Sequence, residues 1–315
     1  MIACAHTDRK KHGKDRHGNQ RWKCCLCGAT FTSNEYRRPL DDMRISMDKA
    51  VQILGMLLEG MSIRACERIT HVKRDTICDL VLLIGRKCEA FLKDAIRDVP
   101  AKTIELDEIW SFIAMKAKTR LRLGRTDEVG DSWTWLAIDA DSKLILAHTV
   151  GQRNESPCER FLADVNKATA GRCQVTADGL RLYTYGVPFA MGSRVDFAQL
   201  VKIFAASQSA GRYSPANIIG IEKVVRMGHP DEDKISTSYA ERFNLSVRMH
   251  MRRFTRLTNA HSKSPAHHEA AVALFVCWYN FCRSNMAFKG KVSPAMAAGL
   301  AENLWSLETL LQNVA

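Results

Sequence analysis

Near residue 100 the spacing of the apolar residues changes rhythm, and that change narrows the architectures open to this chain more than any other feature. Before it, Met47, Ala50, Val51, Leu54, Leu57 and Leu58 fall on one helical stripe. Gly60 interrupts the stripe. Ser62 can cap a second, short helix through Ile63, Cys66 and Ile69. After His71–Val72 a third helix is expected from about Arg74 through Ile77, Leu80, Val81 and Ile84, as far as Ile96, with Pro100 closing the zone. Beyond Pro100 the runs Thr103–Ile113, Ser132–Asp139 and Leu144–Val150 are β-rich and separated by turn residues such as Asp141–Ser142. A helical segment over Pro157–Ala168 follows, then strands at Cys173–Ala177 and near Val195–Phe204. Residues 206–235 read as irregular, and Ser236–Thr255 and His267–Cys282 as helical. The expectation is an α/β fold preceded by a helical unit.

Residues 1 to about 38 differ from both zones. They are polar, basic and rich in His, Cys and Gly, with little to bury, so a zinc ion could replace the missing core. Pro39–Leu40–Asp41–Asp42 reads as a linker. The expected organisation is therefore a zinc-ribbon-like segment at 1–38 and a helix-turn-helix unit at 42–98. A catalytic α/β domain at 101–290 and a helical tail at 291–315 complete it.

The charge narrows the partners. Forty-six Lys and Arg against thirty-four Asp and Glu leave a net +12, which favours nucleic acid or an anionic membrane surface. The longest apolar runs, Leu80–Ile84 and Ala271–Tyr279, are far shorter than the roughly 20 residues of a spanning helix. The amino terminus turns basic within its first residues, at Arg9, Lys10 and Lys11, with no apolar signal core. A cytoplasmic location is expected, nucleoid-associated when the chain is on DNA. The eleven cysteines then read as reduced thiols or metal ligands.

Three carboxylates sit where strands or helices can deliver them to one point. Asp107 lies inside the first β-rich run, Asp178 follows Cys173–Ala177, and Glu241 opens the helix beginning Tyr239–Ala240. Phosphoryl transfer between DNA strands uses two divalent cations about 4 Å apart, and hard Mg²⁺ prefers oxygen ligands. In the Glu241 helix, Ala240, Phe243, Val247, Met251 and Phe254 form one apolar face. Glu241, Arg248 and Arg252 share the opposite side, where the arginines could grip phosphates beside a metal-bound carboxylate. A solvated amphipathic face is the plainer reading of the same spacing. Glu105, Glu108, Asp139 and Asp196 are competitors; Glu108 should point to the sheet face opposite Asp107, whereas Glu105 shares its face.

The blocks Leu106–Asp107–Glu108–Ile109–Trp110, Thr176–Ala177–Asp178–Gly179 and Thr237 through Leu245 resemble the three catalytic blocks of transposases of the insertion-sequence-one family. Arg253 through Ala260 and Trp278 through Cys282 resemble the segments that follow the last block. The likeness runs from Cys4 to about Leu307. It implies a ribonuclease H-like fold, with which three strands, a helix and a strand agree, and a DDE triad of Asp107, Asp178 and Glu241 binding Mg²⁺ or Mn²⁺. Asn244, one turn on, would support the triad, and Arg253 and Arg256 would join Arg248 and Arg252 on DNA. It further implies double-stranded DNA as partner (terminal repeats and target), with the protein acting as a homo-oligomer.

Cys24–Cys25–Leu26–Cys27 contains a C-x-x-C knuckle, and Gly18 through Lys23 is similar to the segment before the second knuckle of that family's zinc ribbon. A tetrahedral zinc site needs four ligands. Cys24 and Cys27 supply two, Cys4 matches a third, and the fourth would fall at Met1; His6, His12 or His17 are the substitutes, or the site is weakened, or the true start lies upstream. In the helix-turn-helix unit, Arg74 and Thr76 open the third helix as candidate base readers, with Lys73 a phosphate contact. A packing unit with an ordinary charged surface would show the same periodicity. Two other functions fit parts of the chain: a DNA-binding regulator with an inert remainder, and a ribonuclease H-like nuclease without strand transfer.

Overall fold

The computed structural model describes residues 7–14, 20–32, 39–125, 129–204, 218–255 and 259–315. Its N-terminal part is a three-stranded antiparallel meander of β1 (Arg9–Lys14), β2 (Gln20–Cys24) and β3 (Thr30–Thr32). Between β2 and β3 the chain turns tightly, the Gly28 amide donating to the Cys24 carbonyl at 3.1 Å and the Cys24 amide to the Ala29 carbonyl at 2.8 Å. Cys24 is buried and Cys27 exposed on that turn.

Three helices follow as the apolar stripe requires: α1 (Met47–Leu58), α2 (Ile63–Thr70) and α3 (Arg74–Ala95). Ser46 and Ser62 cap the first two by accepting from the Lys49 and Ala65 amides. His71, at a φ of 58°, ends α2 in the left-handed region and redirects the chain into α3. Three consecutive helices thus stand where the spacing places them. They do not bury their apolar face on each other alone: α3 lies along a later helix over Pro265–Phe281, and one continuous core runs from Leu40 to Val314.

The rest is built on β4 (Thr103–Ile113), α4 (Ala117–Arg122), β5 (Gly130–Asp139), β6 (Ile145–Gly151), α5 (Glu155–Ala168), β7 (Cys173–Asp178), α6 (Arg181–Met191), β8 (Val195–Phe204) and β9 (Ile218–Met227). Then come α7 (Ser238–His250), α8 (Pro265–Phe281), α9 (Pro294–Ala297) and α10 (Leu307–Asn313). The six-stranded sheet has the order β6-β5-β4-β7-β8-β9 and is mixed: β4–β7 and β7–β8 pair in parallel, the others antiparallel. One face carries α5 and α6, where Trp135 of β5 meets Phe161 and Tyr183. The other carries α7 and α8, where Glu105 and Ser111 of β4 meet α7 and His268. An α/β fold is what the sequence indicated, and the mixed sheet flanked by helices is consistent with a ribonuclease H-like fold.

Two stretches depart from expectation. Residues 218–227, within a segment read as irregular, form β9, the edge strand paired with β8. Gly220 and the charges Glu222, Lys223 and Arg226 break its alternation, and because most of its residues are exposed no burial pattern marks it in sequence. No element is expected over 181–191, yet α6 forms there with Gly186 and Pro188 inside it, both weak helix formers. Packing against α5 overrides their propensity.

Among the described residues, no helix is long and apolar enough to cross a membrane.

Candidate metal centre

Asp107 and Asp178 come together through strand register. Leu106 of β4 stands opposite Ala177 of the parallel β7, so the next residues on each strand are the two aspartates. Where β7 ends, Asp178 Oδ1 accepts from the Leu180 amide at 3.0 Å and closes the turn into α6. Gln199 of β8 braces this turn by donating to the Asp178 carbonyl at 2.8 Å and the Leu180 carbonyl at 3.0 Å.

The third carboxylate at this point is Glu108. Ligand oxygens of Asp107, Glu108 and Asp178 lie within 4.8 Å of one another, the one such acidic or thiolate group among the described residues. Glu108 does lie on the sheet face opposite Asp107, next to Tyr183, as strand alternation requires. Its side chain nevertheless reaches Asp178, because that residue ends its strand. Arg153, in the loop after β6, holds both: its Nη2 is 3.0 Å from Glu108 Oε2 and 3.6 Å from Asp178 Oδ2.

Glu241 stands one step away and is not in that group of three. It lies in the first turn of α7, half-exposed, paired with the Lys202 ammonium of β8 and accepting from Thr237 Oγ1 at 3.2 Å. Its negative charge still reaches Asp107 and raises that group's pKa. Asn244, one turn along, is buried and donates from Nδ2 to Asp107 Oδ2 at 2.7 Å. The sequence thus named Asp107, Asp178, Glu241 and Asn244 around one place, and set Glu108 aside.

Burial and crowding show in the acidities. Burial pushes the Asp107 carboxyl up to about 6, and the charges of Asp178 and Glu241 push it the same way. Glu108 rises to about 7, again through burial first and Asp178 second, with Arg153 only partly compensating. Glu108 Oε1 is buried without a hydrogen-bond partner. Two clustered carboxyls with raised pKa values and an orphaned buried acceptor are what an oxygen-liganded divalent cation would relieve. The donor set fits such an ion.

The other competitors are occupied. Glu105 Oε2 accepts from the Tyr239 and Ala240 amides at 2.8 and 2.9 Å, so it anchors the start of α7. Asp139 closes a turn on Ser142, and Asp196 is clamped by Arg172 and the His229 amide.

The basic residues scatter more than the sequence suggested. α7 stops at His250, Met251 is extended, and Arg252 begins a short 3₁₀ turn over Arg252–Phe254. The expected continuous face of Glu241, Arg248 and Arg252 is therefore broken, although Met251 and Phe254 remain buried as the spacing required. Arg252 is exposed, while Arg253 turns inward, donating from Nη1 to Ser262 Oγ at 2.8 Å and the His267 carbonyl at 3.0 Å. Burial lowers its pKa to about 10. Lys73 and Arg74 are exposed at the start of α3 and Thr76 is half-buried; Arg74 pairs with Asp75 at 2.8 Å. Arg256, Cys4 and His6 lie outside the described residues, as does His17. Cys24 and Cys27 share the knuckle turn, but no third Cys, His, Asp or Glu gathers with them among the described residues.

Arg153 and Lys202 are the site residues that sequence reasoning missed. Lys202 had a signal: it is the one charge in the otherwise apolar run Leu200–Val201–Lys202–Ile203–Phe204. Arg153 had none, since a cation in a turn is ordinary.

No protein-family model and no curated protein matches the chain. Among solved structures it is similar to a piggyBac transposase synaptic complex with hairpin DNA, determined by cryo-electron microscopy. The identity is 9% and the TM-score 0.40, over 90% of this chain and 73% of that one.

Proposed function

We propose that this chain is a DNA transposase of the insertion-sequence type, with Asp107, Asp178 and Glu241 as its catalytic carboxylates. The observation that carries this reading is the convergence of Asp107, Glu108 and Asp178, with Asn244 on Asp107 and Glu241 close enough to alter its acidity. Asp107 and Asp178 would hold a first divalent cation, and Glu241, released from Lys202, would complete the set. Magnesium or manganese, when bound, would supply activation of the attacking hydroxyl and charge relief at the leaving oxygen.

The chain's own residues position and shield. Asn244 fixes the orientation of the Asp107 carboxylate. Arg153 keeps Glu108 and Asp178 together against their mutual repulsion. Lys202 is a cation on the site's β8 side that can pass from Glu241 to a phosphate oxygen. In the reaction so assigned, water cleaves the phosphodiester at an element end and the freed 3′-hydroxyl attacks target DNA, catalysis by position and charge. The helical unit at 42–98, with Lys73, Arg74 and Thr76, would read the terminal repeats. The basic segment with Arg248, Arg252 and Arg256 would meet backbone phosphate, with Arg253 held inward behind it by Ser262 and His267. The segment at 1–38 would take zinc through Cys24 and Cys27 with Cys4 and His6. The insertion-sequence-one family, the domain limits at 101–290 and 291–315, and a homo-oligomer on paired ends belong to the same proposal.

Asp107→Asn keeps the size of the side chain and removes its charge. Metal-dependent cleavage of element-end duplex should fall at least about a hundredfold, with duplex binding retained. A variant that still cuts and joins ends would sink the assignment. Cleavage without strand-transfer products would instead identify a ribonuclease H-like nuclease.

A further inference from the structure

The helical unit and the segment after α7 meet across a groove of about 600 Å³ whose wall is unusually one-signed. Arg64 of α2 and Arg74 of α3 line it from one side, and Arg252, Arg253 and Lys263 from the other. No Asp or Glu stands among its described lining residues. Its floor is apolar, formed by side chains such as Met61 and Leu274. Arg64, Arg252 and Lys263 are exposed, and Arg253 is fixed in the wall by Ser262 and His267. Arg74 already has Asp75 beside it at the mouth, in a pair exposed on both sides and so weakly held.

The two walls are fastened together. His250 Nδ1 lies 3.0 Å from the Leu58 carbonyl. Gly60, at a φ of 86°, sits so close to α7 that a Cβ there would stand 2.8 Å from the Met249 carbonyl. The groove is therefore shared between the helical unit and the end of the helix whose first turn carries Glu241.

We propose that this groove is a composite binding site for the sugar–phosphate backbone of DNA, in which Arg64 and Lys263 act with Arg252 as phosphate contacts. The proposal rests on the reading of the chain as a DNA-binding enzyme and makes it more specific. Clustered guanidinium and ammonium groups with no carboxylate match a polyanion. An apolar floor between them suits deoxyribose faces better than a small free anion. α7 is about 20 Å long at 1.5 Å per residue, which sets the groove roughly six base pairs of duplex from the carboxylates. Neither the helical unit nor the sheet domain supplies this surface alone.

The test uses the full chain and a mixed-sequence duplex of about 30 base pairs, with binding followed as a function of salt. Each phosphate contact contributes about 0.9 to the slope of log affinity against log salt. Arg64→Ala and Lys263→Ala, one from each wall, should each lower the slope by about that amount, and the double variant by about twice it. Lys167→Ala, an exposed cation on α5 paired with Asp164, serves as the control and should leave the slope unchanged. Folding of each variant is checked by its melting curve. Unchanged slopes in folded variants would overturn the proposal, as would an effect confined to one wall. Competition by inorganic phosphate at concentrations too low to screen would also overturn it, by indicating a small-anion site. Cleavage by Asp107→Asn is a separate readout, so loss of the catalytic reading and loss of the groove reading can be told apart.

Discussion

Asp107 and Glu108 are sequence neighbours on one strand, and both are more basic than an ordinary carboxyl, at about 6 and about 7. Glu105, also near 7, adds to them: burial outweighs the two amide bonds it accepts. Each group has its folded pKa above its unfolded value of 3.8 or 4.5, so the unfolded chain gives up these protons first. Their contribution to stability is complete below the unfolded values and is lost as pH rises through 6 and 7. His268, buried and held down to about 3, works the other way, but only below its unfolded 6.5. In the window between pH 8 and 6.5 the carboxyls therefore dominate. Metal-free protein should gain on the order of 1–2 kcal/mol on acidification across it, seen as a rising melting temperature in chelator. Glu108→Gln should flatten the rise, and a flat profile in the parent chain would contradict the burial described.

Helix α7 acts as a strut between two working ends. Its first turn is seated on Glu105 and presents Glu241, and its last turn is pinned to Leu58 and Gly60 of the helical unit. Helix α3 is tied to the sheet domain still more closely, since the backbones of α3 and α8 touch at Gly85. A Cβ added there would fall on the carbonyl of Ala270, which is backbone and cannot rotate away. Gly85→Ala should thus force the two helices apart. A cost of about 1–3 kcal/mol is expected for such overpacking, despite alanine's better helix propensity. The denaturant midpoint measures it; a midpoint at or above that of the parent would show that the helices are not in backbone contact.

At the scale of the molecule, one core joins the helical unit, the sheet domain and the C-terminal helices α9 and α10, with Leu310 and Leu311 buried inside it. A ligand that binds the carboxylates only when they are gathered must stabilise that whole body. Magnesium or manganese at a hundred times its dissociation constant would add about 2.7 kcal/mol, raising the melting temperature at pH 8. In Asp178→Asn the gain should shrink to that of non-specific salt. A metal response of equal size in parent and variant would place the ion elsewhere.

Much of this was legible in the chain itself because it depends on local periodicity. A period near 3.6 wrote α1, α2 and α3, and Ser46 and Ser62 marked where two of them start. β-rich runs located β4 through β8, and block order singled out Asp107, Asp178, Glu241 and Asn244. What failed to show was whatever depends on neighbours distant in sequence. β9 exists because β8 offers a free edge, and α6 because α5 covers it. Glu108 reaches Asp178 only because β7 ends there, a consequence of register between strands far apart in the chain, Leu106 standing opposite Ala177. Arg253, expected on DNA, turns inward because Ser262 and His267 present acceptors to it. Composition and spacing marked most of the elements and the side chains proposed to carry the chemistry. Pairing, packing and burial, which no local window contains, decided which of those side chains meet.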